Sequence, residues 1–148
     1  MGQKNEKYSY ELGGGCPAVS EAERDLGVII DGDLKINKQC VKAASTANCV
    51  LGMISRTISN RSEDIMANLY KSLVRPHLEY CVQAWRPHYQ KDIDLLERVQ
   101  RRATRMIEGY KAMPYEERLR MLGLTALETR RLRGDLIETF KIVKGLYV

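Results

Sequence analysis

The sequence lacks the residue patterns that mark most enzymes and metal sites. None of its four cysteines forms a Cys-x-x-Cys pair, and its two histidines complete no zinc pattern. It has no glycine-rich phosphate loop, no Gly-x-Ser-x-Gly and no His-Glu-x-x-His. Asp31 and Asp33 flank a glycine, but a turn needs those residue types anyway. We therefore expect no catalytic residue, metal site or cofactor here, and a binding module is favoured over an enzyme.

Long apolar runs are also missing. No segment approaches the roughly 20 apolar residues that cross a bilayer, and no secretory signal opens the chain. Apolar residues make up 44% of the 148 residues and charged residues 29%, a balance typical of one globular domain with an ordinary core. The sequence therefore predicts an intracellular protein, in nucleus or cytoplasm, without a membrane partner.

Positive charge is present and unevenly distributed. Residues 1–90 hold 11 Lys and Arg against 10 Asp and Glu, whereas residues 91–148 hold 13 against 9. Nine of those 13 basic residues are arginines, whose guanidinium groups can bind two phosphate oxygens at once. The second region is thus the place to look for a nucleic-acid surface, although an acidic protein would also fit.

Periodicity predicts a mainly helical fold of about four to five helices with a small N-terminal β-hairpin. Apolar alternation predicts strands at 8–12 and 25–31 with a loop at 16–24, and residues 1–7 are expected to be loose. Helical spacing predicts helices over 37–58, 62–75, 92–107 and 114–121. Pro76 should interrupt the second of these, which restarts over 77–85. Thr125 and Glu128 are spaced as a capping box that opens a last helix, ending at Gly145.

The helix over 92–107 has two contrasting faces. At about 100° per residue its four arginines fall within about 100° of arc, opposite an apolar face. They are Arg98, Arg101, Arg102 and Arg105. These side chains could bind a phosphate backbone, or they could form a solvated face balanced by Asp94, Glu97 or acidic groups elsewhere.

A second basic cluster and three aromatic residues are weaker candidates for the same role. Arg130, Arg131 and Arg133 spread more widely around their helix, so at least one could instead bind a partner within the fold. Trp85, Tyr80 and Tyr89 could stack on bases, but a core position is the favoured interpretation for the single tryptophan.

Five ordered blocks carry a resemblance to a known family. They are residues 24–31, 73–85, 95–104, 115–119 and 128–136, which read RDLGVIID, LVRPHLEYCVQAW, LLERVQRRAT, YEERL and ETRRLRGDL. In this order they resemble the region just after the catalytic palm in reverse transcriptases of non-LTR retrotransposons, of the LINE, jockey or chicken-repeat type. The resemblance covers about residues 24 to 145.

The resemblance implies a thumb-like domain at residues 37–148 that contacts the backbone of an RNA or DNA template–primer duplex. It implies that residues 1–36 are a remnant of the palm edge and that a palm domain is a further partner. The parent polymerases hold Mg²⁺ on an Asp-Asp pair and another aspartate. This sequence has no Asp-Asp pair, so we expect no polymerisation by this chain alone. A helical protein–protein module and a non-functional remnant of a decayed element are the alternatives.

Overall fold

The computed structural model describes residues 8–146, so the expectation for residues 1–7 lies outside the described residues. The strands are β1, Ala22–Asp25, and β2, Val28–Asp31. The helices are α1, Asn37–Thr57; α2, Glu63–Leu69; α3, Arg75–Glu79; α4, Gln90–Arg105; α5, Tyr115–Met121; and α6, Leu127–Val143. A π-helical turn, Tyr70–Val74, joins α2 to α3. The prediction of a mainly helical fold with a small hairpin is confirmed.

The hairpin differs from the predicted one. No strand forms at 8–12, where Leu12 and Gly15 make only an isolated bridge. Instead, the predicted loop supplies β1, and the run at 25–31 divides at a turn so that β1 pairs with β2 in antiparallel register. Leu26 and Gly27 both have positive φ, 45° and 86°, as a two-residue hairpin turn requires. Because Leu26 is apolar and not a typical turn residue, the sequence gives little indication of this turn.

The core lies where β2, α1 and α4 meet. The face of α1 carrying Cys40, Ala43 and Ala47 is buried, as its spacing predicts, and its small side chains let α4 approach. Asn37 contacts Asp92, and further along Asn48 contacts Arg102. These two pairs show that α1 and α4 run in the same direction.

The segment around Pro76 only partly follows its prediction. The π-helical turn Tyr70–Val74 precedes the proline, so the helix changes its hydrogen-bond pattern there rather than breaking. The predicted helix over 77–85 is wrong beyond Glu79, because Cys81 has a left-handed φ of 54° that a helix cannot accommodate. This bend turns Trp85 inward, where it is 1% exposed.

The capping box predicted at Thr125 is also wrong. The last helix begins at Leu127 and receives no side-chain cap from its flanking residue. The first helical amide, that of Leu127, instead donates to the Glu97 carboxylate of α4 at 2.9 Å. A distant residue therefore satisfies the helix terminus that a local motif was expected to satisfy. Among the described helices, none is long and apolar enough to cross a membrane.

Candidate nucleic-acid interface

One face of α4 presents four arginines to solvent. Arg98, Arg101, Arg102 and Arg105 are all exposed, whereas Leu96, Val99 and Ala103 on the other side are 2%, 1% and 3% exposed. The positions of these residues follow from 3.6 residues per turn, since burying the apolar side directs the arginines outward. We call these four arginines the α4 arginine face; it extends roughly 10 Å along the helix at 1.5 Å per residue.

No carboxylate in the described part of the chain forms an ion pair with this face. The two acidic residues considered as its partners are engaged elsewhere. Asp94 accepts a hydrogen bond from Gln90 at 3.0 Å, and Glu97 is buried under Tyr115 and Leu127. Neither Asp94 nor Glu97 therefore forms an ion pair with the α4 arginine face.

The contacts that the face does make are neutral. The Nη1 group of Arg102 donates to Oδ1 of Asn48 on α1 at 3.0 Å. The guanidinium of Arg101 lies 4.8 Å from the centre of the Tyr115 ring. Both contacts orient a guanidinium without neutralising it, and each leaves other N–H groups of the fork available to an acceptor.

A buried polar network fixes the inner side of α4. Gln100 is 1% exposed, and its Nε2 donates to the Tyr115 hydroxyl at 2.9 Å and to the Thr125 carbonyl at 3.0 Å. The Tyr70 hydroxyl donates to the side-chain Oε1 of Gln100 at 2.6 Å. Burial raises the pKa of both tyrosines, and for Tyr115 a hydrogen bond to Glu97 raises it further, so both are neutral donors. The network holds α4 in one rotation relative to α5 and α6.

Arg118 is a basic residue beside this face that the sequence analysis missed. Its Nη1 donates to the Arg101 carbonyl and to the Thr104 hydroxyl, each at 3.0 Å. Burial, and next the nearby Arg105, lower the pKa of Arg118. It therefore adds positive potential under the α4 arginine face while fixing α5 to α4. No local pattern distinguishes it from the exposed Arg120 two residues later.

The second basic cluster divides among three environments. Arg130 is paired with Glu79 of α3, and Arg133 is exposed. Arg131 is 4% exposed; it donates to the carbonyls of Leu78 and Trp85, and its guanidinium lies 4.0 Å from the centre of the Trp85 ring. The assignment of Arg131 to a nucleic-acid surface is therefore corrected, because this side chain is enclosed by α3 and the bend that follows it.

The aromatic candidates are also divided. Trp85 is a core residue, as favoured, and its indole N–H donates to the Tyr80 carbonyl at 2.7 Å. Tyr80 and Tyr89 are 56% and 66% exposed, but the Tyr80 hydroxyl donates to the Leu26 carbonyl in the hairpin turn. Of the three, only Tyr89 has an exposed ring whose hydroxyl forms no hydrogen bond with the described residues.

The acidic turn after β2 is occupied by lysines. Lys38 and Asp31 are 2.7 Å apart, and this hydrogen bond is the main cause that lowers the pKa of Asp31. Lys35 binds Asp33 at 2.8 Å. Over residues 8–146 there is no group of three or more His, Cys, Asp or Glu side chains that could hold a metal ion. The described residues therefore do not fit the Mg²⁺ that the family resemblance implies for the parent polymerases.

Comparison of the chain with other proteins adds no further constraint. No family model, no curated protein sequence and no solved structure matches it.

Proposed function

We propose that this chain is the thumb-like, nucleic-acid-binding part of a reverse transcriptase of the non-LTR retrotransposon type. The α4 arginine face would contact the phosphate backbone of the template–primer duplex. The observation that carries this proposal is the absence, within residues 8–146, of any carboxylate paired with those four arginines. The five sequence blocks that resemble the family support the same assignment.

Electrostatics explains why a polyanion suits this surface. Four like charges on one helix face repel each other by a few tenths of a kcal/mol per neighbouring pair. A row of phosphates relieves that repulsion, and each neutralised phosphate releases condensed counterions into solution. Contacts to phosphates contribute affinity and fix the position of the protein on the duplex, but they do not distinguish one base from another. Binding is therefore expected to show little sequence preference.

Arg130 and Arg133 remain secondary members of the proposed surface. Arg133 is exposed and makes no ion pair with the described residues, whereas Arg130 would have to leave Glu79 to reach a phosphate. An exposed pair such as Arg130–Glu79 is worth only about 0–1 kcal/mol, so a phosphate can compete with the carboxylate. Arg133 should therefore contribute more to binding than Arg130.

Salt dependence provides the central test. The variant carrying alanine at positions 98, 101, 102 and 105 should bind duplex RNA–DNA with a slope of log affinity against log salt reduced by about 0.9 per lost contact, or about 3.6 if all four contact phosphate. The matched control removes four positive charges elsewhere: Arg24, Lys35, Lys42 and Lys144 to alanine. An unchanged slope in the first variant would favour an acidic protein as the partner.

Two further measurements separate binding from the alternatives. The chain with primed RNA template, Mg²⁺ and nucleotides should give no primer extension, because it contains no Asp-Asp pair to hold the metals. Any extension contradicts that expectation.

A circular-dichroism melt should show cooperative unfolding; a gradual, non-cooperative melt would instead indicate a remnant that needs a neighbouring domain to fold.

A further inference from the structure

The outer side of α6 carries an apolar stripe that no other described element covers. Leu132, Leu136 and Val143 are 40%, 62% and 76% exposed. With Leu136 at 0° and about 100° per residue, these three fall between about −40° and 0°. The buried residues Leu127 and Arg131 lie near 180° and 220°, on the opposite side. The helix thus packs one side onto the body of the protein and presents this stripe to solvent, while Ile137, Phe140 and Ile142 are exposed outside the stripe.

The spacing of this stripe is that of a two-helix seam. Thr129, Leu132, Leu136, Thr139 and Val143 recur at intervals of three and four residues, and all five are exposed. This is the a/d pattern of a coiled coil, with position a at 129, 136 and 143 and position d at 132 and 139. A helix with such a seam buries it against another helix along its length, rather than against a small ligand.

One charged residue on each flank of the stripe complements the other in a pair of identical helices. Glu128 lies on one flank, at position g, and Arg133 lies on the other, at position e. Both are exposed, and neither forms an ion pair with the described residues. In two parallel copies, Glu128 of each lies opposite Arg133 of the other. Asp135, the next position g, is half-buried and lies 3.9 Å from Arg86, so it does not contribute to this pairing.

We infer that α6 is a dimerisation helix, and that its stripe binds the same stripe of a second copy of this chain in parallel, around a two-fold axis. The pair Glu128–Arg133 selects this occupant, because position g of one helix faces position e of the other, five residues later, only when two copies run parallel, and the two-fold axis then forms the pair twice. The helix is already folded against α4, so association does not have to order it. This inference does not depend on the α4 arginine face, although Glu128 of the second copy would compete with a phosphate for Arg133.

Sedimentation equilibrium over a concentration series tests the inference directly. The full chain should fit a monomer–dimer equilibrium. Leu136→Glu places a carboxylate at the centre of the seam and should weaken dimerisation at least about a hundredfold. The matched control is Met53→Glu, which changes an apolar residue of α1 that is 51% exposed and should leave the equilibrium unchanged. A chain that stays monomeric at every concentration overturns the inference, as does a dimer that tolerates Leu136→Glu.

Charge reversal tests the parallel alignment, using exposed positions that should not disturb folding. Glu128→Arg and Arg133→Glu should each weaken the dimer roughly fivefold, because each removes two symmetric ion pairs and creates like-charge neighbours. The double variant restores the pairs with inverted sign and should recover wild-type affinity. Failure of the double variant to recover overturns the parallel arrangement.

Discussion

The arginines of α4 and those of α6 are both clustered in the sequence but have different environments. The four in α4, at 98, 101, 102 and 105, fall within about 100° of arc, so burying the apolar side of the helix directs all of them to solvent. Arg130, Arg131 and Arg133 stand so close together that they must spread around α6, and Arg131 points inward. The comparison teaches that helical spacing, more than the number of arginines, decides which ones reach a partner.

The largest expected difference is between Arg131 and Arg133, which lie two residues apart. Arg131→Ala removes two hydrogen bonds to the carbonyls of Leu78 and Trp85 and leaves both acceptors buried, and it removes the contact with the Trp85 ring. We expect a loss of about 3 kcal/mol in the free energy of unfolding. Arg133→Ala, at an exposed position, should change it by less than about 0.5 kcal/mol. Urea denaturation of the two variants measures the difference, and equal losses would contradict the different environments of these two arginines.

An alkaline titration extends the contrast between buried and exposed ionisable groups to the Cys40 thiol, which is buried on the same side of the core as Arg131. Burial raises the pKa of Cys40 to about 11, above the value of about 8.5 for an exposed thiol. The unfolded state therefore loses this proton first, and the stability contributed by the protonated thiol is lost as pH rises from about 9 through 11. Between these values the wild type should lose up to about 2 kcal/mol more than Cys40→Ala. Parallel stability curves for the two proteins would show that Cys40 is not desolvated.

The smallest expected effect is on the α4 arginine face. The double variant Arg98→Ala/Arg105→Ala should change the free energy of unfolding by less than about 0.5 kcal/mol, with a slight gain from relieved repulsion. Its slope of log affinity for duplex against log salt should nevertheless fall by about 1.8. If the variant loses stability while its salt dependence is unchanged, Arg98 and Arg105 support the fold, as Arg131 does, and do not contact phosphate.

Local periodicity was sufficient to predict α1, α4 and the outward direction of the α4 arginines. It failed where distant residues decide the outcome. The amide of Leu127 is bound by Glu97, thirty residues earlier, so the Thr125 motif was a poor guide to the helix start. The environment of Arg131 depends on the bend that brings the Leu78 and Trp85 carbonyls together, and nothing in the residues around 131 records that bend.

The hairpin failed for a different reason, since its error is entirely local. Leu26 in the left-handed conformation interrupts an apolar run that is otherwise typical of one strand. A leucine pays conformational strain there, whereas the asparagine or aspartate usual in such a turn would not. The accompanying Gly27 was the only signal of the turn, and the longer apolar run around it favoured a single strand.

The parallel arrangement of α1 and α4 has a consequence for synthesis on the ribosome. Asn48 and Arg102 meet across 54 positions of the chain, and Asn37 and Asp92 across 55. At about 5–20 residues per second, the apolar face of α1 is made roughly 3–10 seconds before the helix that covers it. During that interval the face of Cys40, Ala43 and Ala47 is available to any other apolar surface. Because its side chains are small, the exposed apolar area is low, and this limits association with other apolar surfaces until α4 has been synthesised.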